Sequence, residues 1–275
     1  MKLSTLRLPG RTVAVRRDGD TYTEIADLPD VGALLRLDRW QEVAGAADGA
    51  THPVEGADLA PVVPAPGKIV CVGANYRSHI VEMGSTLPEY PTIFAKYTDA
   101  LIGATDDIQL PPEDAWIDWE AELAIVIGTP GRRIEKADAL DHVAGYSVLN
   151  DVSMRGYQFR TNQWLQGKSW EKSTPLGPAL VTPDEVDPAA GIRTVIDGEI
   201  VQDSTIGDLL FGPREIIAYL STLFTLRPGD VIATGTPDGV GFAREPKQFL
   251  RPGNLVETTI EGLGTLRNRA VAEAR

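Results

Sequence analysis

The residues most able to do chemistry lie in the stretch 118–128, where Asp118, Glu120 and Glu122 occupy alternate positions ahead of an apolar run closed by Gly128. Side chains alternate across a strand, so an extended 118–128 turns these carboxylates to one side. Trp119, Ala121, Leu123, Ile125 and Ile127 take the other. The β-branched, uncharged run that follows predicts a buried strand, with the carboxylates at its inner end. Ionised carboxylates in a core need positive charge beside them. A hard divalent cation, Mg²⁺ or Mn²⁺, takes oxygen ligands and would supply it. The Glu-x-Glu pair alone also fits a solvated acidic strand end, so its meaning depends on what else the chain brings to it.

A second group is His79 with Glu82. The segment after Asn75 starts with polar residues and ends at Gly84, which predicts a short helix carrying both side chains on one face. A carboxylate accepting from one imidazole nitrogen fixes the tautomer and leaves the other nitrogen free to take a proton from water. Exposed helices carry such pairs too. Asp151 ends another apolar strand, and Arg155, Gln158, Gln163, Gln166 and Lys168 follow it in a stretch dense in donors. Beside a carboxylate site such groups could hold a substrate carboxylate or steady an oxyanion; by themselves they also fit an exposed polar loop. The glycine-rich loop 234–241 is no phosphate-binding P-loop, because no Gly-Lys-Ser/Thr follows and no helix begins there. Its hydroxyls and backbone N–H groups could instead hold a carboxylate. Cys71, the single cysteine, reads as a small core residue. His52 reads as solvated, and His142 as the end of a helix over 137–143.

Positioning these groups falls to a chain that reads as mainly β with some α. Residues 1–66 predict a small N-terminal β-rich domain: strands over 11–15 and 21–25 about the Asp18-Gly19 turn, then a helix over 31–37. Prolines at 61, 64 and 66 mark a boundary, and residues 67–275 form the catalytic domain. There, strands are expected over 68–73, 91–96, 118–128 and 144–151, with a hairpin over 192–203 about Asp197-Gly198. Pro213 starts a helix whose apolar face carries Ile216, Ile217, Leu220 and Leu223. With 275 residues, 43% of them hydrophobic, the chain can bury one large core, or one core and a small appendage.

The formal net charge of −13 repels nucleic acid and anionic lipid, so an anionic substrate must be drawn in by local positive charge. No run approaches the roughly 18 apolar residues of a membrane-spanning helix. The N-terminal residues lack the apolar core of a signal peptide, so a cytoplasmic location is expected.

Taken in order, these stretches resemble the fumarylacetoacetate hydrolase family over about residues 68–268. The matching motifs are Gly-x-Asn-Tyr-x-x-His at 73–79, Phe-x-Lys at 94–96, Glu-x-Glu at 120–122 and Asn-Asp at 150–151 with Arg155 and Gln158. Gly-Lys-Ser at 167–169, Pro-Leu-Gly-Pro at 175–178 and Pro-Gly-Asp-x-Ile-x-Thr-Gly-Thr-Pro at 228–237 complete the set. The resemblance implies a mixed β-sandwich roll, a homodimer, and a Mg²⁺ or Mn²⁺ site with ligands at Glu120, Glu122 and Asp151. It implies that His79 and Glu82 activate water, that Lys168 faces the reacting oxygen, and that Tyr76, Arg155, Gln158 and Thr236 line the substrate pocket. The implied activity is hydrolysis of a carbon–carbon bond in a β-diketo (2,4-dioxo) acid such as an acylpyruvate, a small anion, in catabolism of aromatic compounds or sugar acids. The alternative is decarboxylation or isomerisation of 2-oxo-hexenedioate or 2-hydroxyhepta-2,4-diene-1,7-dioate type substrates, which share a stabilised enolate. Two positions depart from the family pattern: Gly156 follows Arg155 where Asp is frequent, and Glu171 stands where Asp usually follows Lys-Ser-aromatic.

Overall fold

The computed structural model describes residues 1–274. At its centre runs the strand Ala121–Ile127, buried along its whole length because it has strands on both edges and cores on both faces. Leu123, Ile125 and Ile127 enter one core, and Ala124 and Val126 the other. Removing one such isoleucine side chain from water is worth roughly 1.5–3 kcal/mol. The strand belongs to an 11-stranded sheet ordered Thr51–Pro53, Thr21–Glu24, Arg11–Asp18, Lys2–Leu8, Thr174–Val181, Val143–Asn150, Ala121–Ile127, Val231–Ala233, Ile69–Gly73 and Thr92–Lys96, with Leu101–Ile102 added beside Thr174–Val181. A 5-stranded sheet, Glu199–Thr205, Gly191–Ile196, Leu255–Ile260, Gly264–Ala272 and Ile108–Leu110, faces it. Parallel and antiparallel pairs both occur, so the expected mixed β-sandwich is present.

The inter-sheet core joins Leu123, Ile125, Val148 and Val181 to Ile192, Ile260 and Leu266, and the helix Pro213–Leu223 adds Ile216, Ile217 and Leu220 to it. Leu223, expected on that apolar face, is exposed, because the helix ends there and turns it to solvent. The second face of the large sheet is covered by Val31, Leu34, Leu35 and Trp40 from the short helices Val31–Leu35 and Trp40–Gly45.

The first 66 residues form a β-rich unit that continues the main sheet. Lys2–Leu8 pairs antiparallel with Thr174–Val181, and Leu3, Ala14 and Ile25 share a core with Ile69 and Ala124. His52, read as solvated, lies 2.7 Å from Glu24 Oε1, because the strand Thr51–Pro53 pairs with Thr21–Glu24. The helix expected over 137–143 shortens to a single turn, Ala139–His142. Among the described residues no helix is long and apolar enough to cross a membrane.

The stretch 118–128 is not one strand. Ile117–Asp118 pairs with Ser153–Met154, and the main strand starts at Ala121. The break is fixed by Asp118, whose carboxylate accepts from Trp119 N at 2.8 Å, Gly241 N at 2.7 Å and Phe242 N at 2.9 Å. Asp118 therefore leaves the row it shares with Glu120 and Glu122 in the sequence.

Candidate active site

Two adjacent strand ends bring the remaining carboxylates together. Ala121 stands opposite Asn150 in the ladder, Asn150 Oδ1 accepts from Glu120 N at 3.0 Å, and Asp151 N donates to Glu120 O at 2.8 Å. As a result Glu120, Glu122 and Asp151 present oxygens within 4.8 Å of one another, all of them buried. Three cations surround them. Arg155 reaches Asp118 at 2.8 Å and Glu120 at 2.6 Å; Lys168 Nζ reaches Glu120 at 2.6 Å and Asp151 at 3.0 Å; Lys96 Nζ reaches Asp151 Oδ1 at 2.5 Å.

Glu122 differs from its neighbours. It accepts from Gly235 N at 2.8 Å and forms no ion pair among the described residues. Burial pushes its pKa up, and Asp151 and Glu120 push it further, so it lies well above the ordinary carboxylate range. Burial also disfavours charge on Glu120, but Lys168 and Arg155 outweigh it and bring that pKa down to about 2. Burial opposes the Lys168 ammonium as well, yet Asp151 and Glu120 overcome it and hold the pKa above its usual value. Four carboxylates, counting Asp118, thus meet three cations, and the deficit falls at Glu122. An all-oxygen donor set short of positive charge fits a hard divalent cation such as Mg²⁺ or Mn²⁺.

Glu120 and Glu122 open onto a cavity of about 170 Å³, lined also by Arg155, Gln158, Lys168, Thr236 and His79. His79 rides on the helix Arg77–Glu82, with Nδ1 3.0 Å from Glu82 Oε2, while Glu82 Oε1 accepts from Gly239 N at 2.9 Å. The dyad is thereby tied to the glycine-rich loop, and His79 Nε2 is left for the cavity. Ala74, at φ 51°, turns the chain from the strand into this helix, a left-handed conformation uncommon outside glycine. Asn75 holds the turn: its Nδ2 donates to Thr234 O at 2.8 Å and Phe211 O at 3.0 Å, and its Oδ1 accepts from Phe211 N at 2.8 Å.

Most residues proposed from sequence converge here. Arg155, Gln158 and Lys168 are buried, not exposed on a polar loop, since the short turns Arg155–Gln158 and Leu165–Lys168 fold them back under the strand ends. Gln158 Oε1 accepts from Arg155 Nη1 at 2.8 Å. Thr236 is buried at the cavity wall and accepts from Gln202 Nε2 at 2.8 Å. Tyr76 is the exception. It caps the helix start and joins the inter-sheet core without lining the cavity; its hydroxyl is buried without a partner, and burial, reinforced by the charge of Glu122, raises its pKa.

Sequence reasoning assigned no role to Lys96, Asn150 or Gln202. Gln202 accepts from Ala121 N at 3.0 Å as well as holding Thr236, so one amide couples the central strand to the loop. The signals available were a lysine closing an apolar strand, and polar residues inside β-rich runs. At the two departures from the family pattern, a Cβ on Gly156 would lie 2.8 Å from Asp114, whose Oδ2 accepts from Tyr157 N at 3.2 Å. A carboxylate occupies that space after all, from a different segment. Glu171 is exposed and lies 3.9 Å from Lys172, away from the cavity.

The family model described as fumarylacetoacetate (FAA) hydrolase C-terminal matches residues 68–271. A similar relative is the mitochondrial oxaloacetate tautomerase fahd2 of Xenopus laevis, 43% identical over 237 residues, covering 84% of this chain and 74% of that protein. Among solved structures, the fumarylacetoacetate hydrolase of Exiguobacterium antarcticum superposes with a TM-score of 0.89 at 31% identity, over 99% of this chain and 100% of that one. The 5-carboxymethyl-2-hydroxymuconate delta-isomerase of Mycobacterium smegmatis does so at 0.83 and 34%, over 100% of both chains.

Proposed function

The chain belongs to the fumarylacetoacetate hydrolase family, and from that premise we propose that it interconverts the keto and enol forms of a small 2-oxo acid. Decarboxylation or double-bond isomerisation of related 2-oxo diacids uses the same groups. The observation that carries this reading is that His79, held by Glu82, lines one cavity with the carboxylates Glu120 and Glu122. The tautomerase and the isomerase among its relatives support it.

A divalent cation, when bound by Glu120, Glu122 and Asp151, supplies the Lewis acidity that steadies an enolate. Arg155, Gln158 and Thr236 orient the acid head of the substrate, and Lys168 Nζ donates to the 2-oxo oxygen as that oxygen gains charge. His79 Nε2, free because Glu82 holds Nδ1, takes the proton from C3. The C3–H electron pair becomes the C2–C3 double bond and the C2 carbonyl pair moves to oxygen. Returning the proton to that oxygen completes the enol, and the same steps in reverse give the ketone. Glu82 balances the imidazolium while it holds the proton.

Hydrolysis of a 2,4-dioxo acid is the second reading. The side chains of His79 and Glu82 are 14% and 22% exposed, which lets water reach the dyad. In either case the substrate is a small anion and the working unit a homodimer.

The test is a Mg²⁺-supplemented panel of oxaloacetate, acylpyruvates and 2-oxo-hexenedioates, followed by enol absorbance and product mass. Enzyme-dependent keto–enol exchange or an isomer of unchanged mass is expected. Pyruvate plus a free carboxylic acid from acylpyruvates, with no exchange in any member, would overturn the first reading in favour of the second.

A further inference from the structure

The cavity lining divides sharply by chemistry. Its cations, Arg155 and Lys168, each hold two carboxylates, and His79 is held by Glu82. Much of the rest is apolar: Phe159 and Phe242 stand 4.8 Å apart between ring centroids, tilted by 39°, and Phe94 and Trp164 stand 5.5 Å apart, edge to face at 72°. Phe159 is half exposed, and the Trp164 ring is held in place. A Cβ on Gly73 would lie 2.1 Å from the Trp164 ring, so the indole rests directly on bare backbone. Beyond these, Lys96 is held by Asp151 at 2.5 Å, and Lys247 has its ammonium 3.8 Å from the Phe242 ring centroid and donates to Phe242 O at 2.7 Å; neither lines the cavity.

With Arg155 engaged by the acid head and Lys168 by the 2-oxo oxygen, a second carboxylate entering this space would lose water against aromatic faces without a lining cation of its own. A flat apolar group would instead meet paired rings, which favour offset or edge-to-face stacking. We propose that the substrate is a 2-oxo acid whose tail is aromatic or otherwise planar and apolar, without a second carboxylate, and that Phe159 and Phe242 select that tail. The inference rests on the 2-oxo acid reading of the site.

Binding and turnover are measured separately. Benzoylformate and ketomalonate are both 2-oxo acids without a C3 proton, one with a phenyl tail and one with a second carboxylate, so calorimetric titration in Mg²⁺ compares them without turnover, and the change in their ratio between parent and variants cancels the hydration of the ketomalonate carbonyl. Benzoylformate is expected to bind at least about tenfold more tightly, a factor equal to roughly 1.4 kcal/mol. Phe159→Ala and Phe242→Ala should bring the ratio toward one, and Phe242→Arg should move it toward ketomalonate. Each ratio is internal to one variant, so partial loss of folded protein does not change it. Equal or tighter binding of ketomalonate by the parent protein, or a ratio unmoved by all three substitutions, would overturn the proposal. Phenylpyruvate and oxaloacetate then report turnover. Benzoylformate selectivity with no exchange of either substrate supports the tail assignment while sinking the tautomerase reading.

Discussion

Replacing Lys96 by methionine tests the charge balance on which the site rests. Lys96 and Asp151 have fully buried side chains 2.5 Å apart, and methionine keeps most of the lysine volume while removing its charge. Breaking a buried ion pair from one side costs about 3–5 kcal/mol, because the remaining charge is left in a medium that cannot solvate it. Lys168, 3.0 Å from the other Asp151 oxygen, softens the loss toward the lower figure. At about 2–4 °C per kcal/mol for a chain near this length, the metal-free melting temperature should fall by roughly 6–20 °C. The same reasoning predicts a second effect. With one positive charge gone, added Mg²⁺ should stabilise the variant more than the parent, since ligand binding to the folded state alone raises stability by mass action. Circular dichroism melts with chelator and with Mg²⁺ decide the matter. A metal-free variant melting within about 2 °C of the parent, or one that gains no more from Mg²⁺ than the parent does, would refute it.

His79→Gln should retain Mn²⁺ binding by calorimetry and lose about two to four orders of magnitude in turnover, the usual contribution of a positioned acid–base group; parent-level turnover would remove His79 from the mechanism. Glu122 gives a pH signature in the metal-free protein. Its folded pKa is raised above the ordinary 4.5, so the folded state holds the proton longer and stability declines as pH rises through the interval above 4.5. Glu120, lowered to about 2, acts in the opposite sense: its contribution is present above 4.5 and is lost as pH falls toward 2. Denaturant unfolding of the parent and of Glu122→Gln from pH 4.5 upward should therefore show a stability difference that shifts steadily in favour of the variant; a constant difference counts against a raised Glu122. Light scattering should give twice the chain mass of 29.7 kDa for a homodimer, and a monomer mass would contradict that assembly.

The apolar half of the central strand was legible because β-branched residues buried on both faces leave a continuous signature, and Ala121–Ile127 follows it. The acidic half was not. Whether Asp118 shares a row with Glu120 and Glu122 is decided by Gly241, Phe242 and Arg155, all far along the chain. The His79–Glu82 pair was readable because its partners lie three residues apart on one short helix, whereas the hold of Glu82 on Gly239 crosses 157 positions. For Tyr76, adjacency to His79 in a motif says nothing about direction, and the residue that caps this helix packs into the inter-sheet core. The Phe-x-Lys motif named Lys96 without a purpose, since its purpose is Asp151, just past the end of the strand Val143–Asn150.

The pairing of Lys2–Leu8 with Thr174–Val181 bears on how this protein can be dissected. A fragment restricted to the family-matched residues 68–271 looks like a natural minimal enzyme. Cutting there would strip Leu180 and Val181 of their strand partners and uncover Leu176, Leu180, Val231 and Ala233, now roofed by Val31, Leu34 and Leu35. An open strand edge beside a bared apolar face invites other chains to fill both. The leading segment is thus a lid on the sheet that builds the active site. Tags and fusions belong at its hairpin tips, Gly10 and Gly19, where the surroundings are open.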